Sequence, residues 1–272
     1  MMKLACIQIT STDSIQDNIM MIAPMVRQAA AEGATLIALP ENAFLMASGR
    51  KFHEQVTLEN EHPGIAAAQF WAIELNVWII IGSVTVKDTV DARKYANRQL
   101  IISPNADITA RYDKIHLFDI SIPQGESHQE SARFEYGEQA ILTKAANAAL
   151  GLSICYDVRF PYLYRALAKA GAEILTIPAA FTQFTGEKGG WHVLCRARAM
   201  ETGCFVIAPA QCGEHWASRK TYGHSLIINP WGEILAEGSG QPGIIYAEID
   251  LAEVPQTRQL MPSLNHDRKF TL

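Results

Sequence analysis

Two apolar stretches of this chain nearly repeat each other. Residues 33–40 read GATLIALP and residues 171–178 read GAEILTIP, with the same step from glycine to proline. A second pair follows in the same order: LIISPNADITA at 100–110 and LIINPWGEILA at 226–236. These share Leu-Ile-Ile-x-Pro and an acidic residue followed by isoleucine. Either match alone is what apolar strands produce by chance. Two in the same order argue for a duplicated unit.

The signals around each pair support the same unit. LACIQIT (4–10) reads as a strand, and residues 16–32 carry a helical pattern closed by Gly33. Pro24 lies inside that pattern, so the helix either kinks there or starts later. ATLIALP is a short, wholly apolar strand of the kind buried on both faces. A helix near 63–75, the strand VWIIIGSVTV and a hairpin turned at Pro104–Asn105 complete the first copy. The second copy runs through the strand AALGLSIC, the helix YLYRALAKAG, the strand AEILTIP, the helix WHVLCRARAMET, the strand CFVIAPAQ and the hairpin SLIINPWGEILAE. Each β-α-β-α-β-β-β copy forms a sheet with helices on one face, and stacking the sheets buries both open faces. The expected fold is α/β: a four-layer α-β-β-α sandwich with internal pseudo-twofold duplication, in a single domain over residues 1–272. A doubly wound single sheet is the alternative. GxxxxGK[ST] does not occur, and the one GxGxxG match, GSGQPG at 238–243, follows the last hairpin, contains a proline and opens no helical pattern, so the usual nucleotide fingerprints of such sheets are missing.

Composition narrows the function. Apolar residues make up 49% and charged residues 19% of the 272, with a formal net charge of −5, which gives no electrostatic reason to expect a nucleic-acid partner. The N-terminus enters a strand at once and no run approaches membrane-spanning length, so a cytoplasmic protein without a membrane partner is expected. The five cysteines include no CxxC pair and suggest no disulfide framework. His192, Cys195, Cys204, Cys212 and His215 follow no zinc-ligand spacing, and no metal site is expected from them.

Reactive groups in α/β folds collect beyond strand ends. Three polar residues occupy such places: Glu41 in PENAF, Lys114 in RYDKIHLFD and Cys155 in LSICYDVRFP. Each has a bland alternative, as a turn cap, a surface lysine and a core thiol. Strict alternation through Ala149, Gly151 and Ser153 would put Cys155 on the small-residue face of its strand. The repeat supplies a control for Glu41, because Ala179 holds the corresponding position and the turn therefore does not demand a carboxylate. As a set the three make chemical sense. A glutamate takes the thiol proton during attack on a carbonyl carbon and returns it to a leaving amine. A lysine ammonium keeps the carboxylate ionised and, with the backbone N–H of Tyr156, stabilises the oxyanion.

PENAF, YDKIHLFD and SICYDVRFP together resemble the three catalytic segments of the nitrilase, or carbon–nitrogen hydrolase, superfamily, in order and over nearly the whole chain. The resemblance implies a Glu41–Lys114–Cys155 triad, no metal or organic cofactor, and a homodimer or higher homo-oligomer. It also implies a second active-site glutamate seven residues before a glycine. ESARFEYG places this at Glu130 rather than Glu126, with the task of positioning the substrate amide and Lys114. HLFDISIPQGESHQES, LCRARAMET and AQCGEHWASRKTYGHS are most similar to the branch of ω-amidases and deaminated glutathione amidases. That similarity implies a small-molecule amide substrate: the terminal carboxamide of a carboxylate-bearing 2-oxo acid. Arg159 and Arg219 are candidate carboxylate anchors, although a structural ion pair of Arg159 with Asp157 or another carboxylate is the simpler expectation. Where the branch reads His-Trp-Glu before its arginine-rich helix, this chain has Gly190-Trp191-His192. An N-carbamoyl amino acid hydrolase, a nitrilase and a catalytically silent binding protein on the same fold remain alternatives.

Overall fold

The computed structural model describes residues 1–121, 127–216 and 219–271. Twelve strands build two six-stranded sheets. In chain order they are β1 (Met2–Gln8), β2 (Leu36–Ala38), β3 (Trp78–Val86), β4 (Ala96–Ile102), β5 (Ile108–Asp113) and β6 (Leu142–Ala145). The second half continues with β7 (Ala148–Gly151), β8 (Ile174–Thr176), β9 (Phe205–Ala208), β10 (Leu226–Ile228), β11 (Ile234–Glu237) and β12 (Gly243–Ile249). The first sheet runs β12-β1-β2-β3-β4-β5 and the second β6-β7-β8-β9-β10-β11. In each, the second, third and fourth strands are parallel and the rest antiparallel. The sheets are therefore superimposable in order, as the duplicated sequence predicts.

The sequence pattern did not contain one feature. Each half contributes five strands to its own sheet and sends the sixth, β6 or β12, to the edge of the other. The two copies are thus laced together by a strand exchange rather than merely stacked.

Alternation along the first sheet separates two cores. Leu4, Cys6, Leu36, Ala38, Ile80 and Ile101 join the cluster that holds the second sheet. Their neighbours Ala5, Ile7, Ile37, Ile79, Ile81 and Ile102 pack outward against two helices, α1 (Ile15–Ala31) and α2 (Pro63–Leu75). Period-two alternation with both faces apolar is what a sheet between a helix layer and another sheet requires. The second sheet is covered by α3 (Pro161–Lys169) and α4 (Gly190–Thr202), through Leu163, Leu167, Trp191 and Ala199. Between the sheets Thr176 Oγ1 donates to Gln99 Oε1 at 3.0 Å.

Helix α1 starts at Ser14, whose side chain accepts from the Asp17 N–H, and continues through Pro24. Pro24 lies on the exposed face, where water can reach the Met20 carbonyl that loses its amide partner. Among the described residues no helix is long and apolar enough to cross a membrane.

Candidate active site

The loops after β2 and β8, related by the repeat, meet at the site. Gly82, at a bulge in β3, lies under them: a Cβ there would come within 2.1 Å of the Leu39 carbonyl and 2.5 Å of Pro178. Ser83 holds the first loop, accepting from the Asn42 N–H at 2.9 Å and donating its own N–H to the Pro40 carbonyl. That loop presents Glu41, 3% exposed, across the gap between halves, where its Oε2 accepts from the Ala180 N–H at 2.7 Å.

Cys155 is delivered differently from the strand-end placement in the sequence reading. Strand β7 ends at Gly151, and Cys155 opens a 3-10 turn, Cys155–Arg159, at φ 48°. Its parity with Ala149 and Ser153 therefore carries no meaning. Left-handed backbone at a non-glycine residue costs about 1–2 kcal/mol and persists only where neighbours over-determine it. They do so here. The Cys155 N–H donates to the Pro178 carbonyl at 2.9 Å. The fully buried Asp157 accepts from the Ile154 N–H, the Tyr112 hydroxyl and the His116 N–H, and contacts the His116 ring. Helix α3 starts only at Pro161, so the 3-10 turn, and with it the Tyr156 N–H, lies nearer the thiol than the helix terminus does.

Lys114 follows β5 and is 2% exposed. Its Nζ donates to Glu41 Oε1 at 2.9 Å and to Glu130 Oε1 and Oε2 at 3.1 and 2.9 Å. Glu130 stands in the 3-10 turn Glu130–Ala132, where Oε2 also accepts from the Phe118 N–H at 2.7 Å. The sequence reading missed Asn97 on β4. Its Nδ2 bridges the two carboxylates, to Glu41 Oε1 at 3.0 Å and Glu130 Oε1 at 3.1 Å, while its carbonyl accepts from the Lys114 N–H. An asparagine on an otherwise ordinary strand gives no signal until the fold shows which way it points. Glu126, the rejected alternative to Glu130, lies outside the described residues.

The charges fix the resting protonation. Burial pushes the Glu41 carboxyl up, but Lys114 beside it and the Ala180 N–H more than offset this, holding it below its ordinary value. Lys114, despite burial, is held well above the usual lysine range by Glu130 and Glu41. Burial and the Glu41 charge together push the Cys155 thiol well above its ordinary value. Glu41 is therefore a carboxylate, Lys114 an ammonium and Cys155 a neutral thiol.

These groups open onto a cavity of about 150 Å³ whose wall includes Phe118, Phe181, Arg133, Arg159 and Arg219. Arg159 makes no ion pair with Asp157, which is committed to Tyr112, His116 and Ile154; its guanidinium lies 5.7 Å from the Phe181 ring centre. Arg219 donates to the Ala180 carbonyl at 2.9 Å and contacts His128. Arg133, over Phe52 at 4.8 Å, is a third cavity arginine that the sequence reading did not single out.

The family model described as "Carbon-nitrogen hydrolase" matches residues 3–259. A deaminated glutathione amidase from a Synechocystis sp. is 42% identical over 269 residues, covering 96% of each chain. One from Mus musculus is 39% identical over 97% of this chain and 83% of its own. The crystal structure of the C. elegans NitFhit protein superposes with a TM-score of 0.90 at 34% identity, over 98% of this chain and 65% of that one.

Proposed function

The chain belongs to the carbon–nitrogen hydrolase family, within the nitrilase superfamily, and is an amidase; from that premise we propose that it hydrolyses the amide bond of deaminated glutathione or a closely related 2-oxo acid amide through a Cys155 thioester. The observation that carries the mechanism is the Glu41–Lys114–Glu130 cluster beside a neutral thiol, at the base of a cavity bearing three arginines. Deaminated glutathione carries a carboxylate at each end, which suits cations on either side of the scissile bond.

Glu41 takes the thiol proton as Cys155 Sγ attacks the carbonyl carbon, a transfer worth about 10²–10⁴ in rate. The oxyanion forms against Lys114 Nζ and the Tyr156 N–H, each such donor contributing about 10²–10³. Collapse breaks the C–N bond, and the proton on Glu41 leaves with the amine. Water, deprotonated by the same carboxylate, then attacks the thioester and releases the acid and the thiol. Glu130 and Asn97 hold Lys114 and Glu41 in register throughout. The reaction requires no cofactor.

The test is 2-oxoglutarate release from deaminated glutathione and α-ketoglutaramate, run beside N-carbamoyl amino acids and simple nitriles. Turnover confined to the latter pair would overturn the substrate assignment. A Glu130→Gln protein given substrate should carry an acyl mass on Cys155 alone, and an active Cys155→Ala protein would overturn the mechanism. The proposal includes a cytoplasmic homodimer, which light scattering on the purified protein and cell fractionation would test.

A further inference from the structure

The Gly190-Trp191-His192 departure has no place in the catalytic cavity, whose lining does not include His192. The fold gives that histidine a different setting. We propose that His192, His224 and Glu237 form a site for one divalent transition-metal ion of the zinc class, separate from the catalytic centre.

The three side chains come from distant elements. His192 sits in the first turn of α4, His224 in the link between the hairpin strand Arg219–Tyr222 and β10, and Glu237 at the end of β11. Glu237 Oε1 contacts His192 Nε2 at 2.9 Å and His224 Nδ1 at 2.9 Å, and the three ligand atoms all lie within 4.8 Å of one another. Two imidazoles and one carboxylate are the donor set of an open tetrahedral zinc site, with the fourth position left to water. Zinc at about 2.0–2.2 Å from each atom spaces the ligands about 3.4 Å apart. Each contact to Glu237 must therefore lengthen by about half an ångström, and the two ring nitrogens, within 4.8 Å of each other, must close by up to about 1.4 Å.

The protein holds the His224 end of the site and leaves the adjustment to His192 and Glu237. Trp191 is fully buried, and its Nε1 donates to the His224 carbonyl at 2.7 Å. The His224 ring stacks on Tyr222, centroids 4.3 Å apart. Tyr222 in turn packs on Gly186, where a Cβ would come within 2.2 Å of its ring. Side-chain exposures of 25% for His192, 29% for His224 and 37% for Glu237 leave an approach for an ion from solvent. Each ring nitrogen that faces Glu237 must present its lone pair to the ion, with the ring proton carried on the other nitrogen. It would tie the start of α4 to β11. Trp191 also packs 5.1 Å from Phe181 of the cavity wall, which places the ion one layer behind that wall.

The test uses untagged full-length Cys155→Ala protein, so that the catalytic thiol cannot compete, stripped with chelator and titrated with Co²⁺. One equivalent should bind with the strong visible absorption of tetrahedral cobalt, be displaced by Zn²⁺, and raise the melting temperature. His192→Gln, Glu237→Gln and His224→Asn, asparagine being tolerated at φ 55°, should each weaken binding at least tenfold. Their metal-free melting temperatures should match the parent, and the same substitutions with Cys155 intact should keep metal-free turnover. Absence of binding at submillimolar Co²⁺ and Zn²⁺ would overturn the site, as would binding that all three variants leave intact. If His224→Asn fails to fold, the other two decide.

Discussion

Replacing Lys114 with methionine keeps the length of the side chain and removes its charge, leaving the buried Glu41 facing the partly buried Glu130. Breaking a buried ion pair from one side costs about 3–5 kcal/mol. The structure sets the expectation at the low end. Glu41 keeps the Ala180 N–H and Asn97 Nδ2, and Glu130 keeps the Phe118 N–H and Asn97, so neither carboxylate loses all its donors. A loss of about 3 kcal/mol lowers the melting temperature of a chain this size by about 6–12 °C. The pH dependence identifies the cause. In the parent, the Glu41 carboxyl is held below its ordinary value, so it contributes stability above that value and loses it as pH falls through the folded-state value. Without Lys114, burial and Glu130 push the same carboxyl up. Its protonated form then relieves the folded state as pH falls, so the deficit against the parent should shrink between about pH 8 and about pH 5.5. Adding Glu41→Gln should recover part of the loss at the higher pH. Thermal unfolding followed by circular dichroism at both pH values, for all three proteins, reads this directly. A Lys114→Met protein melting within a degree or two of the parent, or with the same deficit at both pH values, would refute the charge argument.

Three further outcomes follow from the site. Cys155→Gly should be at least as stable as Cys155→Ala in denaturant titration, reversing the usual order, because φ 48° costs alanine about 1 kcal/mol that glycine avoids; alanine the more stable would remove the strained elbow. Gly82→Ala should destabilise by about 3 kcal/mol and lower turnover, since its Cβ meets the Leu39 carbonyl and Pro178 beneath the Glu41 loop. An unchanged melt and rate would show that this approach does not matter. Arg159→Met should lower kcat/KM for carboxylate-bearing amides by about tenfold, the loss of one charge-assisted bond, while sparing a neutral amide of similar size. Equal losses on both would assign Arg159 to structure.

The duplicated sheets and their helix layers were legible because they rest on local pattern: apolar runs of strand length, helical spacing and terminal glycines. The strand exchange was not. Residues 142–145 and 243–249 read no differently whichever sheet they join, and only the tertiary fold decides that β6 leaves its own half. The site divides along the same line. Glu41 was legible from its repeat partner Ala179, since a carboxylate that the turn does not need stands out. Cys155 was singled out in the sequence but given the wrong backbone geometry: a left-handed cysteine carries no marker of the kind that glycine or asparagine gives, and Asp157, which holds the turn, reads as an ordinary loop acid. Glu130 came from family resemblance alone, and Asn97 from neither source. The division has a physical cause. Glu41 and Lys114 belong to the first half and Cys155 to the second, so the carboxylate meets the thiol only once the two halves have packed and Glu41 has accepted the Ala180 N–H. The candidate site residues are properties of single segments, whereas the charge balance that keeps the thiol neutral and Glu41 ionised belongs to the interface between the copies.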